Sequence, residues 1–153
     1  MMSRDKKYLL LFLLVLFLDR VSKGYAIRWW CTEYMVNSLL SFHVTLNRGI
    51  SWGLFNYGDT ITFVGITALI LLVTGVLTFS AYHKHRQGIP FYGELLVIAG
   101  SCSNIFDRFL YGGVIDFISV HVRDFLFPVF NVADCFIVLG VFIMFKELFS
   151  SDE

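Results

Sequence analysis

Asp116 and Asp134 are the residues whose type and setting point to chemistry. They stand 18 positions apart, in the strongly apolar segments Val114-Ile115-Asp116-Phe117 and Phe130-Asn131-Val132-Ala133-Asp134. A carboxylate beside a bilayer costs about 3 kcal/mol or more on insertion scales, so an ionisable residue there is a functional candidate by default. Two carboxylates that meet can share one proton, because like charges disfavour the second ionisation. Such a pair activates a water and protonates a carbonyl oxygen. The chemistry expected is aspartyl hydrolysis at a membrane. Which Asp is base and which is acid is a property of the pair, so the sequence assigns neither.

The rest of the chain has to bring these two groups together. Its 153 residues fit a single domain, 1–153. The hydrophobic share is 57% and mean hydropathy is +0.71, against roughly 45–50% apolar in soluble domains. This composition points to an integral membrane protein. The formal net charge is zero, so nothing points to a nucleic-acid partner. Seventeen Phe suit a lipid-facing surface. Cys31, Cys102 and Cys135 show no metal or redox spacing and read as buried thiols. His43, His83, His85 and His121 are scattered and do not read as ligands. No metal or other cofactor is expected.

Four spans are expected, with a small extramembrane β element between the first two. Tyr8 to Leu18 is an unbroken run of eleven apolar residues behind Arg4, Asp5, Lys6 and Lys7. It resembles a signal peptide, but no cleavage pattern follows and the apolar pattern continues, so a retained helix over about 7–27 is expected. Between 29 and 58 the helical pattern fails. Leu40, Phe42, Val44 and Leu46 alternate with Ser41, His43 and Thr45, which predicts a half-buried strand. Thr60 to Tyr82 holds 23 uncharged residues and is the clearest span. The third is expected over 91–110, ended by Gly112-Gly113, and the fourth over 128–149. Ile118, Val120 and Val122 alternate with polar residues in a short amphipathic stretch between them.

Four spans put both termini on one side. Six Lys/Arg then fall at each end, so the positive-inside rule does not orient the chain. Basic residues at the end opposite the termini need another reason, such as ion pairing or an anionic lipid. That end also collects the unusual polar residues. Asp19 and Lys23 close the first span, four apart on one face. Asn47 and Gly49 close the strand. Asn104, Asp107 and Arg108 close the third span, and Asn131 and Asp134 open the fourth.

Four stretches resemble the bacterial lipoprotein signal peptidases, the signal peptidase II family. They are Asp19-Arg20-Val21-Ser22-Lys23, Asn47-Arg48-Gly49, Asn104-Ile105-Phe106-Asp107-Arg108 with Val114-Ile115-Asp116-Phe117, and Phe127-Pro128-Val129-Phe130-Asn131-Val132-Ala133-Asp134. The resemblance implies an all-α membrane protein of four helices in the bacterial cytoplasmic membrane. Both termini would be cytoplasmic and the active site near the outer face. It implies an intramembrane aspartic endopeptidase that removes the signal peptide from diacylglyceryl-modified prolipoproteins. Asp116 and Asp134 would be the dyad. Asp19, Lys23, Asn47, Gly49, Asn104, Arg108 and Asn131 would shape the substrate site. A monomer among membrane lipids, open to globomycin-type inhibitors, is implied as well. The chain departs from the family at Arg20, where Gln is usual, and at Ser103, where Gly is usual. It also carries Ile50, Ser51 and Trp52 where two small residues and an aromatic are usual.

Other readings attach to the same residues. A proton-coupled transporter would use the carboxylates as a relay, but it predicts acidic groups near mid-bilayer. A structural subunit would use them to hold helices together. Asn131 could serve as a helix cap, and Asp107 as an anchor for an Arg or a backbone group. Arg48 and Arg123 could meet lipid headgroups or only solvent.

Overall fold

The structure, a computed structural model, describes residues 3–49, 60–122 and 125–150. Four helices and a small antiparallel sheet form in the order α1 (Arg4–Trp29), β1 (Tyr34–Met35), β2 (Leu40–Asn47), α2 (Thr60–Arg86), α3 (Tyr92–Tyr111), β3 (Val114–Val122), β4 (Phe125–Leu126) and α4 (Val132–Ser150). Ser3 caps α1 by accepting from the Lys6 N–H. Within α2, the Thr67, Thr74 and Thr78 hydroxyls donate to the carbonyls of Phe63, Ile70 and Thr74. These back-bonds satisfy polar groups inside an apolar helix. Gly112 ends α3 at φ +70°, a left-handed turn that glycine takes without penalty.

The N-terminal end of α1 lies beside the start of α3. Tyr8 packs its ring 4.2 Å from Phe91, and Arg4 donates to the Gly88 carbonyl at 2.7 Å. The two helices therefore run parallel, and Asp19 and Lys23 arrive beside Ser103 to Asp107. α4 runs back along α3 at backbone contact. A Cβ on Gly100 would lie 2.7 Å from the Ala133 carbonyl, and one on Gly140 would lie 2.6 Å from the Gly93 carbonyl. Glycine is required at this seam, and one turn beyond Gly100 the close approach delivers Asn104 to the start of α4.

The sheet has the strand order β1-β2-β3-β4, and α2 and α3 lie in the chain between its neighbouring strands β2 and β3. The β element was expected between the first two helices alone, yet its longest strand, β3, comes from the connection between α3 and α4. The alternation at 118–122 was the signal of that strand. β2 forms where alternation predicts it, but a bulge between Phe42 and Thr45 shifts its register. Leu40 and Phe42 oppose Val120 and Ile118, whereas Thr45 and Asn47 oppose Asp116 and Val114. A one-residue slip exchanges the two faces of a strand, so the bulge places Asn47 on the face of Asp116. Asn47 is consequently buried while Leu46 is exposed, and Ser41, before the bulge, is buried as well. The predicted region 29–58 is described only as far as Gly49, so Trp52, Gly53, Phe55 and Gly58 lie outside the described residues, as does Arg123.

The fourth helix starts at Val132, not at 128. Phe130 instead exchanges backbone hydrogen bonds with Ile118 at 2.9 and 3.1 Å, which holds the approach to α4 extended against β3. The thiols differ from expectation too. Cys31 and Cys135 are exposed and Cys102 is half-buried. Among the described residues, α2 is the one helix that by hydropathy and charge alone suits a membrane crossing, with a mean hydropathy of 2.3 in its best window. Large apolar side chains nevertheless face outward on α1, α2 and α4, among them Phe17 at 63%, Leu72 at 65% and Phe142 at 67% exposure.

The glycine seam has a measurable consequence. Gly100→Ala should lower the melting temperature in detergent, at a cost of about 1–3 kcal/mol. Gly75→Ala, where nothing lies within 4 Å, should be neutral or slightly stabilising. Equal effects at the two positions would contradict backbone contact between α3 and α4.

Candidate active site

Asp116 reaches the site from near the start of β3, and Asp134 from the first turn of α4. Both are buried. Asn131 joins them. Its Nδ2 donates to Asp116 Oδ1 at 2.6 Å, and its Oδ1 accepts from the Asp134 backbone N–H at 2.9 Å. Asp134 Oδ2 in turn accepts from the Asn131 backbone N–H at 3.3 Å. This is a reciprocal capping box in which the third helical residue is the second carboxylate. Asn131 is thus both the helix cap and the link between the two acids.

Two more asparagines complete the cradle. Asn47 Nδ2 donates to Asp116 Oδ2 at 2.9 Å, while its Oδ1 accepts from the Gly49 N–H at 2.9 Å. Asn104 Nδ2 donates to Asp134 Oδ1 at 2.9 Å, while its Oδ1 accepts from Lys23 Nζ at 2.8 Å and Asn131 Nδ2 at 3.2 Å. Each amide has its oxygen held by a group that can only donate: a backbone N–H or an ammonium. Each is therefore fixed with its NH2 toward a carboxylate.

Lys23 is itself fully committed. Its ammonium lies 2.8 Å from Asp19 Oδ2 and 2.7 Å from Asp107 Oδ2, besides the bond to Asn104. Asp19 Oδ1 accepts from the Ala133 N–H at 2.9 Å, at the start of α4. An acid at a helix N-terminus meets unpaired N–H groups and the positive end of the helix dipole. Asp107 Oδ2 also accepts from the Ile115 N–H at 3.3 Å, one residue before Asp116. Asp107 thus anchors a backbone and, through Oδ1 at 2.6 Å, Arg20. Arg108 turns the other way. It donates to the Gly49 carbonyl, to the Arg48 carbonyl at 3.4 Å and to Thr67 at 3.5 Å.

The signal peptidase (SPase) II family model matches residues 11–150. The chain belongs to the signal peptidase II family. It is 37% identical over 139 residues to the lipoprotein signal peptidase of Rickettsia prowazekii, covering 82% of this chain and 69% of that one. It is 36% identical over 138 residues to that of Thermodesulfovibrio yellowstonii, covering 88% and 90%. Its fold matches a bacterial membrane enzyme solved by the in meso method, with a TM-score of 0.77 and 23% identity over 99% of this chain and 92% of that one. As a signal peptidase II, the chain is an aspartic-type peptidase of lipoprotein processing.

Within this signal peptidase II chain, every site residue expected from the sequence falls in one connected network. Asp116, Asp134, Asn47, Asn104 and Asn131 form the cradle, Asp19 and Lys23 support it, and Gly49 with Arg108 closes the side toward α2. Sequence reasoning missed three contributors. Arg20 and Ser103 were noted only as departures, yet both touch Asp19, at 3.0 and 2.6 Å. Thr67 looked like any other threonine of an apolar helix. His121 lies 2.9 Å from Ser41, whose hydroxyl also donates to Glu33 at 3.0 Å. Among the described residues no cluster of metal-binding side chains occurs.

Burial, and then the charge of Asp134, push Asp116 from 3.8 up to about 7, although Asn47, Asn131 and Lys23 pull it down. The folded protein therefore keeps this proton to higher pH than the unfolded chain does. The group's contribution to stability is present below pH 3.8 and is lost as pH rises toward 7. Asp116→Asn should melt above wild type at pH 8, by roughly 1–4 kcal/mol of stability, with the gap closing near pH 4. A variant that melts below wild type at pH 8 would contradict this electrostatic account.

Proposed function

We propose that this chain is an intramembrane aspartic endopeptidase that cleaves the signal peptide from diacylglyceryl-modified prolipoproteins with the Asp116/Asp134 dyad. One observation carries the reading: a single residue, Asn131, binds both carboxylates, Asp116 through its side-chain Nδ2 and Asp134 through its backbone N–H. The pair holds one proton. The ionised carboxylate removes a proton from water as the oxygen attacks the scissile carbonyl carbon. The protonated carboxyl gives its proton to the carbonyl oxygen, forming a tetrahedral diol. Collapse of the diol breaks the C–N bond: one diol hydroxyl returns its proton to the ionised carboxylate as the carbonyl re-forms, and the proton taken from water passes to the leaving amine, so the pair again holds one proton. The amide cradle limits the reorganisation needed as charge moves between the two acids.

Four helices of 19 to 27 residues are each about 28 Å long or more, close to the hydrocarbon thickness. Their outward apolar side chains favour lipid contact over water. The buried charges on α1, α3 and α4 face one another inside the bundle, which reconciles them with membrane crossing. In this reading the protein is a monomer in the bacterial cytoplasmic membrane with both termini cytoplasmic, and the dyad lies near the outer face. The sheet lies beside the dyad, where an unwound signal peptide would extend. No metal or other cofactor takes part in this route, and a globomycin-type peptide would compete for the groove.

The experiment is cleavage of a diacylglyceryl-modified prolipoprotein by the purified protein in detergent. Wild type should release the signal peptide. Asp116→Asn and Asp134→Asn should bind substrate and lose activity by about three orders of magnitude or more. Asp107→Asn should lose stability while retaining most turnover. Substantial turnover by either dyad variant would overturn the assignment, and inactivity of folded wild type would turn attention to proton transport in liposomes.

A further inference from the structure

Arg20 on α1 and Ser103 on α3 converge on one pair of buried acids. Asp19 and Asp107 are fully buried, and Lys23 is placed between them. One ammonium neutralises one carboxylate. It also has to keep a donor for Asn104. The second positive charge comes from Arg20, whose side chain is 30% exposed and enters from the edge of the bundle. Its Nη1 lies 2.6 Å from Asp107 Oδ1, and its Nη2 lies 3.0 Å from Asp19 Oδ2. Ser103 ties the same groups from α3. Its carbonyl accepts from Arg20 Nη2 at 3.3 Å, and its hydroxyl donates to Asp19 Oδ2 at 2.6 Å. The guanidinium also lies 5.4 Å from the centre of the Phe106 ring. Two acids and two cations leave the cluster neutral. Without Arg20 it would carry one surplus negative charge, which burial makes costly.

We propose that Arg20 and Ser103 form one positioning unit for the dyad: together they keep Asp19 and Asp107 charge-balanced, so that Lys23 stays directed at Asn104 and no surplus negative charge reaches Asp116 and Asp134. The inference rests on the dyad reading above. Among the described residues, the charged groups around the dyad are Asp19, Arg20 and Lys23 on α1, Arg48 after β2, and Asp107 and Arg108 on α3. The α2 segment 60–82 carries none. Of these, Arg20 is the group whose loss unbalances Asp19 and Asp107 while leaving every direct contact of the dyad in place.

The test is the pH profile of kcat/KM for prolipoprotein cleavage, with melting temperature measured in parallel. Arg20→Gln keeps a side chain of similar reach and removes the charge. Surplus negative charge disfavours ionisation of nearby acids, so both limbs of the profile should move to higher pH by roughly half to one unit. Arg20→Lys should keep the wild-type position. Arg20→Gln with Asp107→Asn restores neutrality and should return the profile to the wild-type position. Ser103→Ala should cost less in the Arg20→Gln background than in wild type, since both act on Asp19. An Arg20→Gln profile superimposed on wild type, or strictly additive losses with Ser103→Ala, would overturn the proposal. If Arg20→Gln alone does not fold, the charge-balanced double variant decides. Folding with a wild-type profile supports the unit, and failure to fold overturns it. Asp116→Asn run alongside separates the two claims. If that variant cleaves, the dyad reading fails, whereas an inactive Asp116→Asn beside an unmoved Arg20→Gln profile defeats only this inference.

Discussion

The Lys23 ammonium has three donors and no acceptor, and all three are in use. Two hold Asp19 and Asp107, and the third holds the Asn104 oxygen. This one group fixes which way the Asn104 amide faces, and so makes Asp134 an acceptor. Through Asp19 it also supports the Ala133 N–H at the head of α4, and through Asp107 the Ile115 N–H beside Asp116. The two carboxylates arrive on separate elements, a strand and a helix. Both elements are anchored to the same buried cation through one intermediate acid each. A buried charge is tolerated only when it is paired and hydrogen-bonded, and here the pairing doubles as the frame of the site.

The fold supplies what this frame cannot. Glycines at 93, 100 and 140 let α3 and α4 meet backbone to backbone, which sets Asn104 opposite the start of α4. The bulge in β2 turns Asn47 onto the face of Asp116. The bridge between Phe130 and Ile118 holds the entry to α4 against β3, so that Asn131 spans the gap between the acids. Burial beside Asp134 pushes the Asp116 carboxyl up to about 7, against the pull of Asn47, Asn131 and Lys23.

Much of the site could be read from sequence because polar residues stand out against apolar runs. Asp19, Lys23, Asn104, Asp107, Asn131 and Asp134 each interrupt such a run, and their common depth follows from helix lengths alone. The capping role of Asn131 was legible from its position at the start of a span. The rest depends on tertiary registration. Alternation at 40–46 predicts a strand but not the extra residue that reverses its faces. The short alternation at 118–122 did not reveal that it would join the same sheet. The start of α4 moved from 128 to 132 because Phe130 found a strand partner, which local propensity does not encode. Arg20 and Ser103 lie 83 positions apart, and only the packing of α1 on α3 shows that they share a carboxylate. Burial of the thiols was inferred from residue type, yet the faces that carry Cys31 and Cys135 point outward.

The central claim is that Asp116 and Asp134 share one proton within a donor cradle. Infrared titration of the purified protein in detergent addresses it directly, with Asp116→Asn as the reference. The account predicts a protonated carboxyl band that persists at pH 6, fades as the pH passes about 7, and is missing in the variant. Complete ionisation of the carboxyl groups by pH 5, or a persistent band unchanged in Asp116→Asn, would contradict it.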